Sequence, residues 1–168
     1  MNFNETDFLS KVSNTYIMIL TAIMTDDLKR VEHKISPNVR EKISKKIEEL
    51  NKKHLRQMYD ELNVKSIKII SSIEKEEHYE IKVLLTSRYL DYQVDKDNGN
   101  YVSGKKTTRI EKKHYLTFSK SKNTKTEGIV KTCPSCGNSL DPNSTGACQY
   151  CGSTYNLKDY DWILIDIN

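Results

Sequence analysis

The chain has 168 residues, 36% hydrophobic and 30% charged, with a net charge of +4 and a pI of about 8.7. That length suffices for one domain with its own core and a small appendage, and the mild positive charge suits an anionic partner without demanding one. The most apolar stretch, residues 16–24, falls far short of the ~20 residues of a membrane-spanning helix, and the acidic opening MNFNETDFLSKV does not read as a secretory signal.

Residues 6–25 carry Phe8, Leu9, Val12, Tyr16, Ile19, Leu20, Ile23 and Met24 at spacings of three and four, which predicts an amphipathic helix. Thr25, Asp26 and Asp27 supply cap chemistry for a short second helix ending near Ile35. Ser36 and Pro37 open a third, whose stripe is Val39, Ile43, Ile47, Leu50, His54 and Met58. On this reading the first 60 or so residues form an all-helical layer with one buried face.

The period then turns to alternation. Residues 64–73, 78–92 and 107–119 read as strands, the second presenting Tyr79, Ile81, Val83 and Leu85 on one face. The third presents Ile110, His114, Leu116 and Phe118 on one face. Asp97 to Asn100 is turn chemistry, and residues 120–125 form a polar connector. A last strand, residues 160–167, follows the cysteine segment and needs a sheet to join. The expected fold is therefore α+β, with helices packed on a curved antiparallel sheet and a ribbon inserted before the last strand. The domain limits are 1–131 plus 157–168 for the α+β unit and 132–156 for the insertion.

Cys133, Cys136, Cys148 and Cys151 form two CxxC-Gly knuckles with eleven residues between Cys136 and Cys148. Two residues between paired cysteines let a tight turn aim both sulfurs at one tetrahedral ion. Gly137 and Gly152 stand where the backbone turns back with positive φ, and Pro134 stiffens the first knuckle. Without an export signal, a reducing interior is expected, where such pairs read as a metal site rather than disulfides. Four thiolates close the coordination sphere, so the prediction is one structural Zn2+ that replaces a core too small to build.

Two basic stretches stand out. In the third helix Glu41–Lys45, Glu48–Lys52 and Glu49–Lys53 have the order of stabilising i,i+4 pairs, so that face reads as solvated. Lys105, Lys106, Arg109, Lys112, Lys113, Lys120, Lys122, Lys125 and Lys131 meet only Glu111 and Glu127, and read as a surface for anionic lipid, nucleic acid or acidic protein. The run is rich in lysine and poor in arginine and carries no nucleic-acid motif, which disfavours that partner.

No Gly-rich phosphate loop, nucleophile elbow or HExxH is present, so no catalytic residues are assigned and the protein is expected not to be an enzyme. His114, with Phe118, marks the one candidate pocket, and Glu80 or Asp91 are the carboxylates that would orient it.

The segment LDYQVDKDNGNYVSG (residues 90–104), the following YLTFSK and the ending CPSCGNSLDPNSTGACQYCGSTYNLKDYDWILIDI resemble the bacterial branch of the Tim44-like domain, with its appended zinc ribbon and closing tryptophan strand. The opening FLSKVSNTYIMILTAIMTDDLKRV resembles that family's first helices. The resemblance implies the cone-shaped nuclear-transport-factor-two-like roll. The founding mitochondrial subunit is a peripheral inner-membrane protein that tethers an import motor to a translocase and contacts anionic lipid. It therefore implies a non-catalytic adaptor, cytoplasmic and peripheral at a membrane, docking on an anionic membrane surface or a partner protein. A small-ligand-binding or catalytic cone pocket and nucleic-acid binding through the ribbon and its lysines remain the alternative readings.

Overall fold

The computed structural model describes residues 3–122, 136–138, 148, 150–152 and 161–168. The first helix, α1 (Glu5–Thr25), is capped by Asn4, whose side chain accepts from the backbone N–H of Asp7 at 3.0 Å. Glu5 and Asp7 place negative charge at the positive end of the helix dipole. The predicted stripe is the buried one: Phe8, Val12, Tyr16, Ile19, Leu20 and Ile23 all lie in the core. The helix stops at Asp26, in the left-handed region at φ 53°.

The expected second helix is only a 3-10 turn, Glu32–Lys34. So two helices precede the sheet, not three. Asp27 caps the backbone N–H of Lys29 at 3.1 Å, but a chain this short between two longer elements has no room for a nucleated α-helix. The second helix, α2 (Pro37–Lys52), starts as its sequence demands, with Ser36 accepting from the N–H of Val39 at 3.3 Å and Pro37 in the first turn. Val39, Ile43 and Ile47 are its buried face.

The helix does not continue to Met58. His54 adopts φ 55° and turns the chain, and β1 (Leu55–Glu74) begins at once. Its partner β2 (His78–Asp95) runs antiparallel to it, pairing Leu55 with Asp95 and Glu74 with Tyr79 at the two ends. The hairpin to β3 (Tyr101–Ser121) is closed by Asp95, whose carboxylate accepts from the N–H groups of Asp97 and Asn98. The last strand, β4 (Ile163–Ile167), pairs with β3 only from Leu116 to Ser119. The order is β1-β2-β3-β4, an antiparallel meander.

The sheet has an inner and an outer face. Ile81, Val83 and Leu85 on β2 and Leu116 and Phe118 on β3 are fully buried beneath α1. Lys82 and Leu84 alternate with them and point outward. Three register shifts in β1, between Asp60 and Asn63, Val64 and Ser66, and Ile69 and Ser71, curve the sheet around the helices. At the distal bend Gly104 has φ 101°, and a Cβ there would meet the Asp91 carbonyl oxygen and Tyr92 Cα at 2.5 Å. Only glycine lets β3 lie so close to β2.

One end of the core is aromatic. Phe8 stacks edge-on against Trp162 at 5.0 Å and Phe118 at 5.8 Å, and Phe3 closes the group. Trp162 sits where the chain re-enters the fold ahead of β4. Beside it Asp161 accepts from Lys11 of α1 at 2.8 Å. Burial works against the charged form of Lys11, yet Asp161 and Asp7 outweigh it and its pKa is raised. The core therefore binds the strand that follows the cysteines directly to the first helix.

Candidate functional site

Three of the four cysteines lie together. The sulfurs of Cys136, Cys148 and Cys151 are all within 4.8 Å of one another, and those of Cys136 and Cys148 are 3.7 Å apart. Ligands about 2.3 Å from a tetrahedral zinc ion are separated by about 3.8 Å, so this spacing suits a shared metal ion. The knuckle turns follow the expected chemistry: Gly137 and Gly152 have φ 75° and 72°, and the N–H of Gly152 donates to the carbonyl of Cys148 at 2.9 Å. The Tyr150 N–H reaches the Cys148 sulfur at 3.4 Å and the Asn138 amide reaches that of Cys136 at 3.3 Å. Cys133, Pro134, Lys125 and Lys131 lie outside the described residues.

The basic residues of β3 are spread along its length. At about 3.3 Å per residue, Lys105 and Lys122 are tens of ångströms apart, and alternation puts Lys112 and Lys113 on opposite faces. Lys122 pairs with Glu74 at 2.9 Å and lies over the Tyr79 ring. Arg109 donates to the backbone carbonyl of Glu61 at 3.3 Å. Lys105 and Lys106 line an open groove of about 620 Å³ with Tyr101, Gly104, Thr107 and Thr108. Among the described residues, none of Lys105, Lys106, Arg109, Lys112, Lys113 and Lys120 pairs with a carboxylate. In α2, by contrast, Arg40, Lys42 and Lys45 are paired, although of the three expected i,i+4 pairs only Glu41–Lys45 forms, at 3.4 Å.

The outer sheet face adds a group that no linear motif marks. Cross-strand register sets Lys68 opposite Leu84 and Leu84 opposite Tyr115, with Lys82 and Lys113 one step to either side. Ile70, at the bulge, and Tyr115 are 45% and 44% exposed. Lys82 lies over the Tyr115 ring, 5.0 Å from its centroid. The carboxylates of this surface are already engaged, Glu80 by Lys75 and His78, Glu111 by Lys65 and Asp166 by Lys42. The free charge here is positive.

His114 faces inward, with its ring centroid 5.7 Å from that of Tyr16 and its Nδ1 3.1 Å from the Asn168 carbonyl oxygen. Burial lowers its pKa, the Asn168 carbonyl opposes this, and Lys112 and Lys46 add to the lowering. Neither proposed orienter reaches it: Glu80 binds His78 and Lys75, and Asp91 accepts from Gln57 at 2.6 Å. Phe118 is fully buried against Phe8. The Tyr16 hydroxyl and Ser87 Oγ, 2.7 Å apart, satisfy each other, and burial raises the Tyr16 pKa despite that bond. The open groove at the hairpin end and a small cavity between Ile23, Ile47 and Arg56 are lined by residues other than His114 and Phe118.

Among the described residues, no helix is long and apolar enough to cross a membrane. A search of the curated proteins finds no match. The family model of the Tim44-like domain matches residues 1–129, which hold both helices and the first three strands, and the chain therefore belongs to the Tim44-like family.

Proposed function

We propose that this protein is a non-catalytic adaptor that settles on an anionic membrane surface through the outer face of its sheet. The observation that carries the reading is the outer-face group: Lys68, Lys82 and Lys113, without carboxylate partners among the described residues, surround the apolar Ile70, Leu84 and Tyr115. Lysines near an anionic leaflet contribute about 1 kcal/mol each, and apolar side chains between them add area that enters the headgroup layer. Lys105, Lys106 and Tyr101 at the hairpin end extend the surface. Membership of the Tim44-like family supports a translocase-associated role at the cytoplasmic side of that membrane.

In the same reading Cys133 joins Cys136, Cys148 and Cys151 around one structural zinc ion, in a ribbon of residues 132–156 inserted into the domain formed by 1–131 and 157–168. Four thiolates leave no open position for substrate. The ribbon's function is then to hold a shape, not to react.

Co-sedimentation with phosphatidylserine-containing and neutral vesicles, at low and moderate salt and with duplex DNA as competitor, tests the membrane reading. Retention on the anionic vesicles alone is expected, released by salt and not by DNA. The double variant Lys68→Glu/Lys82→Glu should weaken it at least about tenfold. Equal retention on neutral vesicles, or an unchanged double variant, overturns the proposal, and displacement by DNA moves the reading to nucleic acid.

A further inference from the structure

The pairing of β2 with β3 breaks widely at one place. Tyr89 faces Ile110 and Asp91 faces Lys105, so residues 106–109 of β3 stand opposite Leu90 alone. Four residues against one make a broad bulge, and bulges re-aim side chains that a regular strand would alternate. Gly104 precedes it with φ 101° and sits against the β2 backbone at Asp91 and Tyr92. Further out the turn is pinned: the N–H of Asp95 donates to the Asn100 carbonyl and that of Lys96 to the His54 carbonyl, both at 2.8 Å. The groove between bulge and turn is thus shaped by backbone.

Its lining is chemically one-sided. The Tyr101 hydroxyl donates to the Gly104 carbonyl at 2.6 Å, which fixes a ring that is 49% exposed. Lys106 lies over that ring, 5.9 Å from its centroid. Lys105, Thr107 and Thr108 complete the lining. Among the described residues neither lysine pairs with a carboxylate. Asp91, opposite Lys105, accepts from Gln57 at 2.6 Å, and Asp60 accepts from the Tyr92 hydroxyl. Two ammonium groups and two hydroxyls therefore offer donors to an oxyanion.

A phosphate monoester carries close to two negative charges at neutral pH and three acceptor oxygens. That matches two lysines and two hydroxyls better than a singly charged diester or sulfate ester does. The Tyr101 ring supplies an apolar wall against which one face of a sugar or polyol ring can rest. At about 620 Å³ the groove lies in the range of small-molecule sites and holds more than a bare phosphate. We propose that the bulge groove of β3 binds the phosphate monoester of a sugar or small polyol, whether as a soluble molecule or as the phosphorylated headgroup of a lipid. The site does not depend on the membrane reading above, and only the headgroup source would join the two.

The test uses the full chain in two arms, titration with glucose 6-phosphate and co-sedimentation with vesicles carrying phosphatidylinositol 4-phosphate. Saturable binding of the sugar phosphate names a soluble ligand. Retention on those vesicles above charge-matched phosphatidylserine vesicles, without sugar phosphate binding, names a headgroup. In either arm hydrogen exchange should slow within residues 104–108. Lys105 and Lys106 are exposed and can be changed without disturbing the core, and Lys105→Ala/Lys106→Ala should weaken binding at least about tenfold. Glucose and glucose 6-sulfate should not compete, and Lys68→Glu/Lys82→Glu should leave glucose 6-phosphate binding unchanged. No binding in either arm, equal binding of the sulfate ester, an unaffected Lys105→Ala/Lys106→Ala variant, or protection appearing elsewhere overturns the inference. Loss of phosphatidylserine retention with glucose 6-phosphate binding intact removes the membrane reading alone, and the reverse removes this one alone.

Discussion

In the sheet and its helices, Phe8, Tyr16, Leu85 and Phe118 are at most 1% exposed, and each is held by neighbours from elements distant in sequence. Among the described residues of the cysteine cluster, Cys136 and Cys151 are exposed and Cys148 is buried, with the three sulfurs close together. The first region gains stability from apolar area removed from water. In the zinc-ribbon reading proposed above, the second depends instead on ligand bonds. Their failure should therefore be separable, even though Asp161 and Trp162 tie the return from the cysteine segment to α1.

The largest effect is expected in the sheet. Phe118→Ala removes a ring packed edge-on against Phe8 and should cost about 3–5 kcal/mol. Against a usual total of about 5–15 kcal/mol, that is a large share of the fold's stability. Urea unfolding followed by circular dichroism measures it. A loss below 1 kcal/mol or so would mean that this end of the core collapses around the gap.

Cys136→Ser should act in the opposite sense. Bound zinc, assayed by atomic absorption, should fall from one ion per chain to none, while the urea midpoint of the sheet moves by less than about 1 kcal/mol. A large fall in the midpoint would show that the two regions unfold together and would erase the contrast drawn above.

The smallest effect concerns pH. Burial, helped by the charge on Lys34, lowers the pKa of His33 to about 4, and its Nδ1 is buried without a hydrogen-bond partner among the described residues. The unfolded chain takes up this proton near the ordinary value of 6.5, before the folded one does. Stability is thus fully present above about pH 6.5 and declines as pH falls toward 4. His114, also lowered, acts in the same direction. The depressed carboxyls of Glu80 and Glu111 act in the same direction, their contribution being present above the ordinary carboxylate value and lost as pH falls through it. His33→Asn should flatten the slope of the urea midpoint between those limits; an unchanged slope would assign the loss to other groups.

Much of this was legible in the chain because the signal was local. The stripe of α1, the Ser36-Pro37 start, the turn at Asp97–Asn100 and the CxxC-Gly spacing each depend on residues a few positions apart. The α+β class followed from the change of period. The first half of β1 was not legible: residues 55–60 place Leu55, Met58 and Tyr59 at spacings compatible with a helix, and it is pairing with residues 90–95 of β2 that makes them a strand. The 3-10 turn was misread for a related reason, since cap residues mark a start but not a length.

The basic surface shows the same division. Composition counts lysines along β3, yet which of them share a face depends on pairing register and bulges, and which are neutralised depends on carboxylates of other strands. Lys122 meets Glu74 and Lys65 engages Glu111 across 48 and 46 residues of sequence. The sequence by itself determined the helix stripes, the strand periods and the metal-ligand spacing, because each is a short-range pattern. Only the tertiary structure decided where the helical layer ends and which lysines, among the described residues, remain without acidic partners, because these depend on contacts between residues far apart in the chain.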